Sequence, residues 1–253
     1  MSDDLSSFLH QLSLAARAVT LGAEVPQADN KAGEGAYDPV TELDRAAELA
    51  LRAAIEGRFP EDGIEGEEFG LTRPDAPRRW VLDPVDGTRA LICGLPSWTT
   101  LVAIAEDGEP VVGFIDAPVL DELIVGLPGE ARLNGRPVRT SGCTSLSGAR
   151  LATTDPYLFT DAERDAFTRL RLAAPVTRYG LDALAYARLA AGHIDLVAES
   201  GLKRHDWHAL VPVVRGAGGV IGNLRGGADL TGGDVLAAAT PALFEAAVTK
   251  LSC

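Results

Sequence analysis

The stretch Trp80-Val-Leu-Asp83-Pro84-Val85-Asp86-Gly87-Thr88-Arg89 constrains this chain more than any other. Three apolar residues run straight into two carboxylates three positions apart, the pattern of a buried strand that ends in a turn. Pro84 removes a backbone donor between the acids and fixes the local φ. Gly87 permits a tight bend and the close approach of a ligand. Thr88-Arg-Ala-Leu-Ile reads as the first turn of a helix, whose unpaired N–H groups make an anion site. Two acids beside such a site repel what it attracts unless a cation lies between them. A hard divalent ion reconciles the two, with carboxylate oxygens on one side and phosphate oxygens on the other. Asp, Pro and Gly also dominate ordinary turns, so this stretch alone leaves a plain turn open.

Upstream, Leu5, Phe8, Leu9, Leu12, Ala15, Ala16 and Val19 recur at helical spacing over residues 5–21, with Ser2 or Asp3 as the cap. Pro26 to Tyr37 is polar and contains glycine; it reads as a mobile loop in which Lys31 is solvated. Thr41 with Asp44 three residues on makes a capping box for a helix that continues to about Arg58. Asp44 is therefore first a capping acid. In Ile64-Glu-Gly-Glu67-Glu68-Phe-Gly70 the adjacent glutamates point to opposite sides of an extended chain, so only one can face a shared site.

Downstream, Thr99–Ala105 and Val111–Ala117 flank Glu106-Asp-Gly-Glu-Pro, a hairpin signal. Glu122–Leu127 and Ala131–Leu133 add strands, and Asn134-Gly135 a tight turn. Past a soft boundary near residue 140 the pattern alternates. Strands over 150–153, 176–179, 194–199, 219–224 and 235–239 are interleaved with helices over 162–172, 181–191, 206–215 and 241–251. Such alternation predicts layered α and β elements.

The 253 residues, 46% of them hydrophobic, can bury a substantial core. A formal net charge of −13 argues against nucleic-acid and anionic-membrane partners. Cys93, Cys143 and Cys253 are scattered, which argues against a disulfide framework or a zinc site and for a reducing, cytoplasmic setting. No signal peptide or membrane span is expected.

Four segments in order, Asp38-Pro-Val-Thr41-Glu-Leu-Asp44, Gly66-Glu67-Glu68, Asp83-Pro-Val-Asp86-Gly-Thr88, and Asp206-Trp-His-Ala-Leu followed by Gly216-Ala-Gly-Gly219, resemble the inositol monophosphatase family of Mg2+-dependent, Li+-sensitive phosphatases. The resemblance implies an α+β fold, an α-β-α-β-α layered sandwich shared with fructose-1,6-bisphosphatase, and a homodimer acting on a small phosphorylated metabolite. It implies a metal-binding half with a large antiparallel sheet over residues 1–140. A smaller α/β half over 141–253 would supply Asp206 and the specificity residues. Glu67, Asp83 and the Val85 carbonyl would hold a first Mg2+. Asp83 would bridge to a second, held also by Asp86 and Asp206, for two or three ions in all. Thr88 paired with Asp44 would orient and deprotonate the attacking water, with Glu67 also in the catalytic set. The Gly87 and Thr88 N–H groups would hold phosphate oxygens, and Arg89 would contact the substrate.

Within the family, Arg89-Ala-Leu-Ile-Cys-Gly-Leu-Pro96-Ser-Trp98 is similar to the histidinol-phosphate phosphatases, as are Thr153-Thr-Asp-Pro156-Tyr, Arg178-Tyr-Gly-Leu-Asp182, Ala191-Gly-His-Ile-Asp195 and Glu199-Ser-Gly-Leu-Lys203. Leu91 departs from the usual Phe, Leu181 from Gly, and Arg204-His205 from Pro-Tyr. Histidinol phosphate carries an ammonium and an imidazole, which suit acidic partners. Glu199 and Asp182 are the candidates, against plainer roles as a strand-end acid and a helix N-cap. His205 and His208 stay outside the expected site. His208, two residues past Asp206 on a helix, should point elsewhere.

Overall fold

The computed structural model describes residues 3–22, 27–31 and 39–252. Ser2, Asp38, Cys253 and residues 26 and 32–37 of the expected loop lie outside them.

The layers follow from which way each strand residue faces, because successive side chains alternate across a sheet. On the strand Arg78–Asp86, Trp80 and Leu82 join Phe8, Leu12, Leu51 and Ile55 in one apolar cluster, which seats the helices Asp3–Thr20 and Glu42–Arg58 on that face. Val81, between them, faces the other way and packs with Leu189, Val213 and Val197. The second sheet repeats the device. Val197 and Ala237 turn inward, while Leu196, Ala198, Leu236 and Ala238 turn outward onto Phe167, Leu170, Leu243 and Phe244. Those four aromatics and leucines belong to the helices Asp161–Ala173 and Pro241–Ser252. Helix pair, sheet, central helices Leu184–Ala190 and Leu210–Gly216, sheet, and helix pair together make the expected α-β-α-β-α sandwich.

Among the described residues the large sheet has eight strands, in the order 136–138, 130–133, 122–127, 109–117, 99–106, 78–86, 63–66, 70–72. All neighbours are antiparallel except Gly63–Gly66 beside Arg78–Asp86, which is parallel. The expected hairpin closes through Asp107 (φ 50°) and Gly108 (φ 87°), two left-handed residues in succession, as a two-residue β-hairpin requires. Among the described residues the smaller sheet has five strands in mixed orientation, with Val176–Arg178 at one edge.

Two expected elements differ and one strand is additional. The helix expected over 206–215 is two, Arg204–His208 and Leu210–Gly216, because Pro212 has no N–H to give the His208 carbonyl. The helix expected from Leu181 starts at Leu184. Arg136–Val138 adds an edge strand.

The helix Leu210–Gly216 sits on the large sheet backbone to backbone. A Cβ added at Gly126 would lie 2.3 Å from the Val213 nitrogen, one at Gly113 2.9 Å from the Ala209 Cα, and one at Gly216 2.3 Å from the Glu130 carbonyl oxygen. No side chain fits in that seam, so glycine fixes how close the helix and its neighbour Arg204–His208 come to the strand ends.

Candidate active site

A cleft of about 340 Å³ opens where the Arg78–Asp86 strand leaves the sheet. Asp83 and Asp86 are an odd number of residues apart and by simple alternation would face opposite sides. The ladder shows otherwise: Asp83 pairs with Leu101 and Asp86 with Thr99, three steps on one strand against two on the other. That extra residue is a β-bulge, and it turns both carboxylates to the inner side. Pro84 lies in the bulge, and its carbonyl accepts from the Thr100 hydroxyl at 2.8 Å.

Each carboxylate is held and still has an oxygen to offer. Asp83 Oδ1 accepts from the Val85 N–H at 3.1 Å. Asp86 Oδ2 accepts from the Thr99 hydroxyl at 3.0 Å and the Ala183 N–H at 2.7 Å. Asp206 caps its own short helix, taking the Lys203 N–H on Oδ2 at 2.6 Å. One ligand atom from each of Asp83, Asp86 and Asp206 lies within 4.8 Å of the others, and the same holds for Glu67, Asp83 and His205.

Burial pushes Asp83 well above the usual carboxylate range, and Glu67, Asp86 and Asp206 push it further. Asp86 is raised by burial, then by Asp182 and Asp206. Asp206 is raised by burial and by Glu67, with His205 opposing. Like charges this close keep protons unless a cation replaces them. The donor set, carboxylate oxygens on a shared space, fits a hard divalent ion.

Glu67 sits in the turn after Gly63–Gly66, and that turn is built on Glu48. The buried Glu48 carboxylate accepts the N–H groups of Glu68 at 2.7 Å and Phe69 at 3.2 Å, with Arg52 Nε at 2.7 Å. Gly66 makes room for it, since a Cβ there would fall 2.0 Å from Glu48 Oε1. Two expectations change here. Lys31 is not merely solvated: its Nζ is 2.8 Å from Glu67 Oε1 and 2.6 Å from Glu68 Oε1. The adjacent glutamates reach one ammonium because they lie in a turn rather than an extended strand, although only Glu67 lines the cleft.

Asp44 and Thr88 meet across 44 positions of chain, Thr88 Oγ1 standing 3.2 Å from Asp44 Oδ1 and 3.1 Å from the Val85 carbonyl. The capping box is also formed, Asp44 Oδ2 accepting the Thr41 N–H at 2.8 Å. Burial raises the Asp44 pKa, with the Thr41 and Thr88 hydrogen bonds opposing. Gly87 (φ 85°) and Thr88 open the helix Thr88–Ile92 and line the cleft with Arg89.

On the far wall, Glu199 Oε1 accepts the Thr154 N–H at 3.0 Å and its hydroxyl at 2.9 Å. Burial drives Glu199 up to about 8, against Thr154 and with help from Asp182. Asp182 is not an N-cap. It is left-handed (φ 48°), precedes the helix by two residues and leans on Gly87, where an added Cβ would be 2.9 Å from its Oδ2. Burial lifts it to about 6 although Arg89 pulls it down.

The sequence reading assigns Thr154 and Glu48 no role of their own, and it leaves His205 outside the site although His205 lines the cleft. His205 stands beside Asp206 in sequence, and its Nε2 is 3.5 Å from Asp206 Oδ1 and 3.9 Å from Glu67 Oε1. Adjacency to a candidate ligand was the available signal. His208 does turn away, its Nδ1 3.1 Å from the Arg204 carbonyl.

A sequence model of the inositol monophosphatase family matches residues 2–253. The chain is 45% identical over 191 residues to the Arabidopsis thaliana chloroplastic bifunctional phosphatase IMPL2, an alignment covering 74% of this chain and 55% of that protein, so the match spans about half of the plant relative. It is 36% identical over 216 residues to the Mycobacterium tuberculosis histidinol-phosphatase, covering 79% of each. In structure it superposes on an inositol monophosphatase from Zymomonas mobilis with a TM-score of 0.88 and 40% identity over 100% of both chains.

Proposed function

Since the chain belongs to the inositol monophosphatase family, we propose that it is a Mg2+-dependent phosphomonoesterase that hydrolyses L-histidinol phosphate to L-histidinol and phosphate in histidine biosynthesis. The observation that carries this reading is the acidic wall of Asp182 and Glu199 in the same cleft as the Asp83, Asp86 and Asp206 cluster. One end suits a phosphate with its cations, the other a cationic alcohol. Glu67, Asp83 and the Val85 carbonyl would hold one Mg2+ and Asp83, Asp86 and Asp206 a second, for two or three ions in all. When bound, the ions set positive charge against the phosphate oxygens and acidify water in the cleft.

This chain's residues do the rest. The Gly87 and Thr88 N–H groups, at the start of a helix, face phosphate oxygens. Thr88 donates its hydroxyl hydrogen bond to Asp44 and so presents a lone pair to the attacking water, whose proton passes to Thr88 as the Thr88 proton passes to Asp44. The raised pKa of Asp44 suits it to take up the proton that this pair removes. Arg89 lies at the rim beside Asp182. Before substrate arrives, at neutral pH, Glu199 keeps its proton; the charge of an incoming ammonium favours its loss to solvent and pairs with the carboxylate left behind.

Residues 1–140 and 141–253 divide the work, the first half carrying Glu67, Asp83, Asp86 and Thr88 and the second Asp182, Glu199 and Asp206. The open edge at Val176–Arg178, with Val176 and Tyr179 exposed, supports a homodimer. Free Cys93 and Cys143 support a reducing, cytoplasmic setting. No helix among the described residues is long and apolar enough to cross a membrane.

The rival within the family is hydrolysis of inositol 1-phosphate or another small phosphate ester. Phosphate release from L-histidinol phosphate and from myo-inositol 1-phosphate, each with Mg2+, separates them. A higher kcat/KM for histidinol phosphate is expected, and equal or inverted values would overturn the substrate assignment while leaving the family.

A further inference from the structure

His205 stands where a ligand would stand. Its Nε2 faces Asp206 Oδ1 at 3.5 Å and Glu67 Oε1 at 3.9 Å. Both lie within ion-pairing distance for a protonated ring, and among the described residues neither is a hydrogen bond. Yet the side chain is only 15% exposed, so it is fixed in the cleft rather than swinging in water. The spacings have a direct reading. Two donor atoms each about 2.1 Å from one ion stand about 3 Å apart at a right angle and about 3.4 Å apart at the tetrahedral angle. The 3.5 Å separation from Asp206 is close to the tetrahedral value, and the 3.9 Å separation from Glu67 is about half an ångström wider, a gap that a small shift of the two side chains would close around a cation. Glu67, Asp83 and His205 can each bring one such atom within 4.8 Å of the other two.

The two neighbouring positions differ in chemistry. Asp83, Asp86 and Asp206 offer oxygen alone. Oxygen donors suit Mg2+, which gains little from nitrogen. The position between Glu67, Asp83 and His205 offers an imidazole as well, a donor that suits borderline transition-metal ions better than it suits Mg2+. We propose that His205 is a further metal ligand in this chain, so that the Glu67–Asp83 position, which takes Mg2+ in the reading above, binds a divalent transition-metal ion more tightly relative to Mg2+ than carboxylate oxygens alone would. The inference rests on the metal-dependent reading above. Lys31 Nζ, 2.8 Å from Glu67 Oε1, holds the same oxygen, so the incoming ion either displaces that ammonium or uses the other oxygen of Glu67.

Pulsed electron paramagnetic resonance on the metal-free 253-residue chain with one equivalent of Mn2+ reads the first coordination sphere directly. Nitrogen-14 coupling to the bound Mn2+ is expected, and it should vanish in His205→Phe, which keeps a flat ring of similar size. A second measurement equilibrates each protein with Co2+ and excess Mg2+ and counts retained metal. The ratio of Co2+ to Mg2+ on the wild type should exceed that on the variant by about tenfold or more. Mn2+ bound without nitrogen coupling in the wild type overturns the proposal, even if His205→Phe proves unfolded. So does coupling that survives in a folded His205→Phe, or an unchanged Co2+ to Mg2+ ratio. Absence of any divalent binding overturns both the proposal and the metal-dependent reading, whereas Mn2+ binding with phosphatase activity but no nitrogen coupling overturns the proposal alone.

Discussion

At the scale of single residues, the Thr88 hydroxyl and the Glu199 carboxyl carry opposite ends of the proposed reaction and fail in different ways. Thr88→Ala keeps the backbone N–H groups that meet phosphate but removes the link to Asp44. Steady-state kinetics at saturating Mg2+ should show kcat lower by about two to three orders of magnitude with KM little changed. A raised KM with kcat intact would make Thr88 a binding residue only. Glu199→Gln keeps the shape of the far wall and removes its charge. It should cut kcat/KM for histidinol phosphate roughly ten- to a thousandfold while sparing an uncharged phosphomonoester. The same substitution has a stability signature. The folded-state pKa of Glu199 is lifted from 4.5 to about 8, so between those values the folded protein holds a proton the unfolded chain releases. Stability of the metal-free protein must fall as pH rises through that window. Thermal melts between pH 5 and 8 should show a flatter decline for Glu199→Gln, and an identical slope would mean Glu199 is ionised in the folded state.

At the scale of elements, what could be read in the sequence is what is local. Thr41 and Asp44 lie three residues apart and cap their helix by a rule that needs no tertiary context. The Asp107-Gly108 turn is equally local. The bulge at Pro84 is not: alternation puts Asp83 and Asp86 on opposite faces, and only the partner strand's register shows the extra residue. Lys31 meeting Glu67 and Glu68, and Thr154 holding Glu199, are likewise set by packing between distant segments. The Asp44–Thr88 link was reachable through the family resemblance, not through spacing. The glycine seam shows how an element can fix a site it does not touch. Gly126→Ala would drive a methyl group into the backbone of Leu210–Gly216 and displace the adjoining helix that carries Asp206. A loss of about 3 kcal/mol in denaturant unfolding is expected, with weaker Mg2+ binding by calorimetry. A variant as stable as the wild type would show that the seam has slack.

At the scale of the molecule, the acids act as one store of unfavourable charge. Asp83, Asp86 and Asp206 all have raised pKa values, so the metal-free protein is strained by repulsion at neutral pH and relieved by a cation. Mg2+ should raise the melting temperature more at pH 8 than at pH 5, where protons already neutralise part of the cluster. Asp83→Asn should melt higher than the wild type without metal and respond little to Mg2+. A Mg2+ shift independent of pH would count against the cluster as the binding locus. The two halves also share a core: Val81, Leu101 and Ile115 of the first pack in one cluster with Leu189, Val197 and Val213 of the second. Calorimetry should therefore show one unfolding transition rather than two.

That shared assembly has a consequence for how the protein is made. Glu67, Asp83 and Asp86 leave the ribosome well before Asp206 and before the helix Leu210–Gly216 that seats against Gly113 and Gly126. A growing chain thus carries an acidic strand end with no partner wall, and translation order makes ion capture a closing event rather than a nucleus. A ribosome-arrested chain stopped ahead of Asp206 should gain no protease resistance from Mg2+, whereas the released chain that includes Asp206 should.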